Sequence, residues 1–517
     1  MKKYVAILAC IVAAVVSVDV RAGVIFSVDT AWQEQFANAV RWSMLGISDD
    51  SGTTDNTAAL NALPANQPII ADCPHGGYVS FSGNWHWQSG LTIWQQPGCW
   101  LKSTITTPAD YPIMMPVGTT DTAPIANVQY YGMNFGFVTP TSTVRVMQLW
   151  VDHFKFKYFM IDGSGGFAFL RGSDQEIAYG VLRNTVSSPG NPGIRHFGNV
   201  PLVTTSPGMR ANDWFHNLNF QTGDASFQAC QPGNNSATWF YNTSTDGLLY
   251  EDSYGESDGS AVILVNAPMP VGQDQYYCKN ITYRNIRGYG LWFASVGNST
   301  ARTENVMIDG GSFDGSMYSS NLPSLGVGTV PFGGSAATSA NTTNVTISNV
   351  TMTNVYQDAI EAIGSVTGLT IIGNTLGAPR VGIASPGATI ALDGTSSTVI
   401  RNNTIVAGNS PAGIALGAGS NVTANAFVAN NTITGINNSK AGISIENSSG
   451  VSVTGNTIAP ASGATSAIGV SLTADPNGTN NALVSGNDAS AMPTPIVCAS
   501  GQGNSVTGNA GVANCAP

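Results

Sequence analysis

The C-terminal half of the chain repeats one short cassette: a β-branched run, Gly or Asn, then Asn, Thr and an apolar residue. It reads LTIIGNTL at Asn374, TVIRNNTI at Asn403, FVANNTI at Asn431 and VSVTGNTI at Asn456. Weaker copies fall at Asn349, Asn487 and Asn509, so one asparagine recurs at a near-regular step from Asn349 to Asn509. A unit of this size with two or three short strands cannot bury its apolar face alone, so it must stack on its neighbours as a solenoid. The Leu-x-x-Leu-x-Leu pattern of leucine-rich repeats is absent. A parallel β-helix fits: coils stack about 4.8 Å apart, and equivalent asparagines form a hydrogen-bonded ladder at a turn.

Stacking accounts for the composition. Only 9% of the 517 residues are charged, against about 25% in an ordinary domain. Like charges repeated every coil would repel, so ladders favour Asn, Thr, Ser, Val and Ile. No internal run of 18 apolar residues suggests a membrane span. The 43% hydrophobic content argues against disorder, and the net charge of −11 gives no footprint for nucleic acid. The few charges are unevenly placed. Nine lie in residues 321–517 and 40 in the first 320; all five His precede residue 217 and all ten Trp precede residue 293. This predicts scaffold coils over 336–517, site-bearing coils over 111–335, and an N-terminal cap with the first coils over 23–110.

Residues 1–22 read as a secretory signal: Lys2-Lys3, an apolar stretch from Tyr4 to Val18, and Val20-Arg21-Ala22 before Gly23. A secreted, periplasmic or extracellular protein is expected. Cys73, Cys99, Cys230, Cys278, Cys498 and Cys515 remain, an even number that suggests disulfides in an exported chain. Pairing between sequence neighbours, Cys73–Cys99, Cys230–Cys278 and Cys498–Cys515, is the expectation among the connectivities that six cysteines allow. No CxxC or His/Cys cluster suggests zinc.

Near the N-terminus, GISDDSGTTDNTAALNAL (46–63) places Asp55-Asn56-Thr57 before an Ala/Leu pattern, an N-cap and short helix. Short strands follow in PIIADCPHGGYVSFSGNWHWQSGLTI. This order resembles the start of the pectate-lyase-like β-helix superfamily, which includes phage tailspike depolymerases. The resemblance implies an all-β, right-handed single-stranded parallel β-helix with a short N-terminal capping helix. It also implies polysaccharide cleavage by hydrolysis or β-elimination. A second stretch, with Asn191-Pro192-Gly193, Thr222-Gly223-Asp224-Ala225 and Ser257-Asp258-Gly259, is similar to the polygalacturonase-type glycosidases. That likeness carries over Asp224 as a catalytic carboxylate; the first motif lacks its Asp, and Asp258 stands where the family has His.

Spacing supplies further candidates. His196, Asp224 and Asp252 follow one another at equal steps along the chain. Arg171 precedes His196, and Lys279 follows Asp252, by nearly the same step; His216 and Asp246 are separated by a similar one. If that step equals a coil, the side chains share a face. Glycoside hydrolysis needs two carboxylates, about 5–5.5 Å apart for retention or about 6.5–9.5 Å for inversion. The expected catalytic set is Asp224 with Asp252, Asp246 or Asp258, and His196 as the group that orients substrate or tunes a pKa. Arg195, Arg171, Arg210 and Lys279 could bind acidic groups of the substrate, His216 is a further substrate-binding candidate, and Trp214, Trp239 and Trp292 could pack on sugar faces. Trp85 and Trp87 alternate on one strand face and read as a hydrophobic cap. The acids of 246–258 (Asp246, Glu251, Asp252, Glu256, Asp258) could instead hold calcium; otherwise no cofactor is expected.

The functional expectation is a glycoside hydrolase acting on an extracellular polysaccharide. A polysaccharide lyase and a non-catalytic surface or adhesion protein are the alternatives.

Overall fold

The computed structural model describes residues 36–107, 111–114, 124–141, 144–183, 193–196, 200–201, 213–230, 243–265, 277–297, 302–316, 323–328, 341–379, 387–473, 479–498 and 503–511. Among them, 40 strands join in one continuous hydrogen-bonded system and three short ones in another. The chain winds through three faces in each coil. The first sheet begins with Val40–Arg41, Pro68–Ala71, Thr92–Gln95 and Ile125–Tyr131 and ends with Ser505–Thr507. The second runs from Tyr78–Phe81 and Trp100–Ser103 to Thr457–Pro460. The third runs from Trp85–His86 and Ile113–Met114 to Thr494–Val497. Long strands such as Asp213–Thr222 and Tyr277–Val296 bend across consecutive sheets. Pairing is parallel throughout the three sheets; Val200–Pro201 meets Thr243–Glu251 antiparallel. This is the expected right-handed parallel β-helix.

Period-two alternation builds the core. Ile347, Ile371, Ile400, Val428, Val453 and Val484 face inward at one register position on successive coils, all fully buried. Each such side chain contributes about 1.5–3 kcal/mol by leaving water. Toward the N-terminus aromatic rings replace the aliphatics, with Tyr250 and Tyr283 stacked at 5.1 Å. Trp85 and Trp87 do share a face, but they belong to this core: both are buried, and Trp87 stacks on Tyr130 at 5.6 Å.

The asparagine ladder is real from Asn374 onward. Asn374, Asn403, Asn431, Asn456, Asn487 and Asn509 hand side-chain hydrogen bonds from coil to coil at 2.8–3.0 Å. Asn349 stands one position early. Ser348 pairs with Ile372, so buried Val350 takes the step before Asn374 and donates its N–H to Asn374 Oδ1 at 2.9 Å. Asn349 sits instead in an outer column just after each first-sheet strand. There Gly132, Tyr158, Tyr179, Asn217, Asp252, Asn285, Gly310 and Asn349 all hold a left-handed backbone, with φ from 48° to 79°.

The short helix is Thr57–Asn61. Asp55, rather than Asn56, receives the Thr57 N–H at 3.0 Å, while the Asn56 side chain ties Ser48 to Ser80. Cys73–Cys99 and Cys230–Cys278 are disulfides as expected. Cys498 is also disulfide-bonded, but Cys515 lies outside the described residues, as do residues 1–22, where a secretory signal is expected. Among the described residues no helix is long and apolar enough to cross a membrane.

Candidate functional site

The register divides the sequence-derived candidates between opposite sides of the coil. His196 pairs with Leu170 and Ala229 on the third sheet. Asp224 lies in the turn from the second sheet to the third, where Asp258 follows one coil on, because Thr222 pairs with Ser257. Asp252 does not stack on Asp224. It occupies the left-handed column after the first sheet, with Asn217 before it and Asn285 after it, and accepts the Asn285 side-chain N–H at 2.7 Å. The equal steps from His196 to Asp224 to Asp252 therefore do not measure a coil. Lys279 pairs with Asp246 in register and by charge at 3.2 Å, and Asp246 also accepts from Asn280. His216 pairs with Glu251, not Asp246. Arg171 is buried with its guanidinium 3.8 Å from the Trp150 ring, so it is not presented to a ligand. The backbones of Arg195, His196 and Asp258 are placed; their side chains, and all of Arg210 and Trp239, lie outside the described residues. The acids of 246–258 split between faces, and no group of three or more His, Cys, Asp or Glu among the described residues is arranged to hold a metal.

Two constellations emerge. The first is a ridge on the outer face of the first sheet. Trp214, 40% exposed, stacks on His216 at 3.9 Å and donates its indole N–H to Glu251 Oε1 at 2.7 Å. Glu251 also meets Arg284 at 3.2 Å. On the other side, His216 Nε2 lies 3.3 Å from Glu176, which meets Lys157 at 2.5 Å. Burial opposes ionisation of Glu176, yet the hydrogen bonds and charges of His216 and Lys157 win and hold its pKa at about 2. Tyr158 and Tyr179 stack at 5.0 Å beside His216.

The second lies on the third sheet, in coils that the sparse charge assigns to scaffold. Gln228, Leu264, Ser295, Gly326, Glu361 and Ala391 share one register position. Trp292 packs on Ala225 and Ala261, and Asp358 repeats its position two coils on. Trp292, Ser295 and Asp358 are 5%, 1% and 2% exposed. This dry setting raises both acids. Burial, then the charge of Glu361, pushes Asp358 up to about 8; burial, then Asp393, pushes Glu361 up to about 7. Asp358 Oδ1 has no hydrogen-bond partner, and no cation pairs with either acid among the described residues. Gly387 makes room: a Cβ there would collide with the Asp358 carboxyl. Asp393 is oriented by Asn421, whose backbone and side-chain N–H groups reach it at 2.8 and 2.9 Å.

Sequence reasoning passed over this cluster. Its one signal was rarity: few charged residues follow position 320, and Asp358, Glu361 and Asp393 fall close together among them. Shallow concavities around Tyr254, Arg287 and Tyr289, and around Tyr78, Trp100 and Lys102, lie on the second sheet and coincide with neither constellation.

These coils define a right-handed parallel β-helix protein. Residues 333–511 match the family described as "Right handed beta helix region". No curated protein matches the sequence. Similar solved structures include the pre-mature gene product 12 of bacteriophage phi29, 14% identical with a TM-score of 0.50 over 93% of this chain and 58% of that one. Tailspike protein 3 of bacteriophage CBA120 is 13% identical with a TM-score of 0.41, over 94% of this chain and 63% of that one. A family 28 exopolygalacturonase of Yersinia enterocolitica is 12% identical with a TM-score of 0.43, over 84% of this chain and 77% of that one. The chain thus spans less than two thirds of the length of the two phage proteins. At these identities the likeness is one of fold.

Proposed function

We propose that the protein is a secreted carbohydrate-active enzyme that hydrolyses glycosidic bonds of an extracellular polysaccharide on its third sheet. The carrying observation is Glu361, a carboxyl without a cationic partner among the described residues, raised to about 7 beside the oriented carboxylate of Asp393. Glu361 pairs with Ala391, so Asp393 lies one coil on and two positions along, roughly 8 Å away at Cα from the strand spacing and rise. Side chains rising in parallel from backbones that far apart can hold their carboxyls at the longer separation that admits a water between them. Glu361 gives its proton to the leaving glycosidic oxygen; Asp393 takes a proton from the water that attacks the anomeric carbon. Both sides balance: one C–O bond breaks, one forms, and water is consumed. Asp358, buried and protonated at neutral pH, adds no negative charge beside the donor.

The Asp224–Asp258 turn is the competing centre, favoured by its placement on adjacent coils and the polygalacturonase-like motif. The test is incubation with a panel that includes polygalacturonate, alginate and an α-1,3-glucan, followed by product mass spectrometry. Products gaining a water are expected. Glu361→Gln should lose 100-fold or more in rate while Asp224→Asn retains activity; the reverse pattern moves the centre to the turn. Unsaturated products absorbing in the ultraviolet would mean elimination. No cleavage anywhere on the panel would favour the non-catalytic surface protein.

A further inference from the structure

The first-sheet ridge is not needed by the third-sheet chemistry, yet it is built at a cost. In the left-handed column after the first sheet, neighbouring coils use Gly132, Asn217, Asp252 and Asn285. Tyr158 and Tyr179 occupy the same positions at φ 59° and 55°. Glycine and asparagine suit that backbone; a bulky side chain there is an outlier. Burial does not compensate Tyr179, which is 46% exposed. Its ring instead joins a run in which Tyr179 and Trp214 are exposed and His216 is buried between them: Tyr158 on Tyr179 at 5.0 Å, Tyr179 against His216 at 5.2 Å, and His216 on Trp214 at 3.9 Å. A strained residue kept for an exposed ring marks a surface that works on something in solution.

We infer that this ridge is a second, separate polysaccharide-binding surface, and that it takes an uncharged glycan chain laid across the coils. Trp214 and Tyr179, on neighbouring coils, leave apolar ring surface exposed for sugar C–H groups. The charges around them are already matched within the protein. Lys157 meets Glu176 and Arg284 meets Glu251; Lys155, beside Glu176 in register, and Asp309, beside Arg284, offset each other, and Asp252 in the same column adds a further acid. Anionic sugars are held by Arg or Lys forks, and this ridge presents no net positive field. The surface stands independently of where, or whether, hydrolysis occurs.

Affinity electrophoresis tests it, with dextran, laminarin and galactomannan as uncharged probes and polygalacturonate and alginate as acidic ones. At least one uncharged polysaccharide should retard the full chain, with retardation unchanged as salt is raised well above physiological strength. Trp214→Ala and Tyr179→Gly should each weaken that retardation 10-fold or more. Tyr179→Phe should keep it. Tyr179→Gly relieves the left-handed backbone, so its unfolding midpoint should equal or exceed that of the parent; this separates lost binding from lost fold. Binding confined to the acidic probes, no retardation by any uncharged probe, or parent-like binding by both weakened variants would overturn the inference.

Discussion

Asn403 donates its main-chain and side-chain N–H groups to one oxygen, Oδ1 of Asn431, at 3.0 and 2.9 Å. Asn431 in turn donates to Ile400 O and Asn456 Oδ1. Each buried step thus satisfies the coil on either side. Removing one side chain orphans groups that water cannot reach, at about 1–3 kcal/mol. Asn431→Ala is expected to destabilise the C-terminal coils by that amount. Amide exchange gives the local check: the Asn403 N–H should lose protection, while amides of the N-terminal coils such as Ile93 should not change.

The buried acids set an alkaline limit. Asp358 and Glu361 have folded values of about 8 and about 7, above the ordinary carboxyl values of about 3.9 and 4.3. Between those limits the folded chain binds more protons than the unfolded one. Stability therefore falls as pH rises from about 4 to about 8. Asp358→Asn should flatten this limb and raise the unfolding midpoint at pH 8, measured by thermal melts across pH. An unchanged limb would mean that Asp358 titrates normally.

Glu176 sets the opposite limit. Its folded pKa is lowered to about 2, despite burial, by His216 and Lys157. Its contribution is present above the unfolded value near 4.3 and is lost as pH falls toward 2. Asp55 behaves alike: burial opposes, and hydrogen bonds from Ser82 and Thr57 prevail, bringing it to about 2. Glu176→Gln should soften the acid limb of the same melts without altering the alkaline one.

The rate profile of the proposed hydrolase follows from the third-sheet pair. With Glu361 as proton donor, activity should decline as pH rises through about 7. Glu361→Asp, which keeps the carboxyl but shortens its reach, should retain more activity than Glu361→Gln. Reducing-sugar release against pH provides the measurement; a decline unaffected by either substitution would exclude Glu361 as the donor.

The repeating parts of this protein were legible in sequence because they answer to local rules. Alternating Val and Ile face inward, and an Asn that finds its copy one coil away stacks with it, so Asn374 to Asn509 announce both coil and ladder. The short helix and two disulfides were legible for the same reason. The site was not. The coil from Lys157 to Ala178 is little more than half as long as the one from Asp309 to Ser348, because loops of different length close at nearly equal entropic cost. Equal spacings such as His196, Asp224 and Asp252 therefore scatter over different faces. Which acids lose water was likewise decided only in three dimensions. The sequence determined a low-charge stack with an asparagine spine; tertiary structure decided that His216 and Lys157 would hold the Glu176 pKa low and that burial would push those of Asp358 and Glu361 up. Burial and partner charge set ionisation, and neither is written in the order of residues.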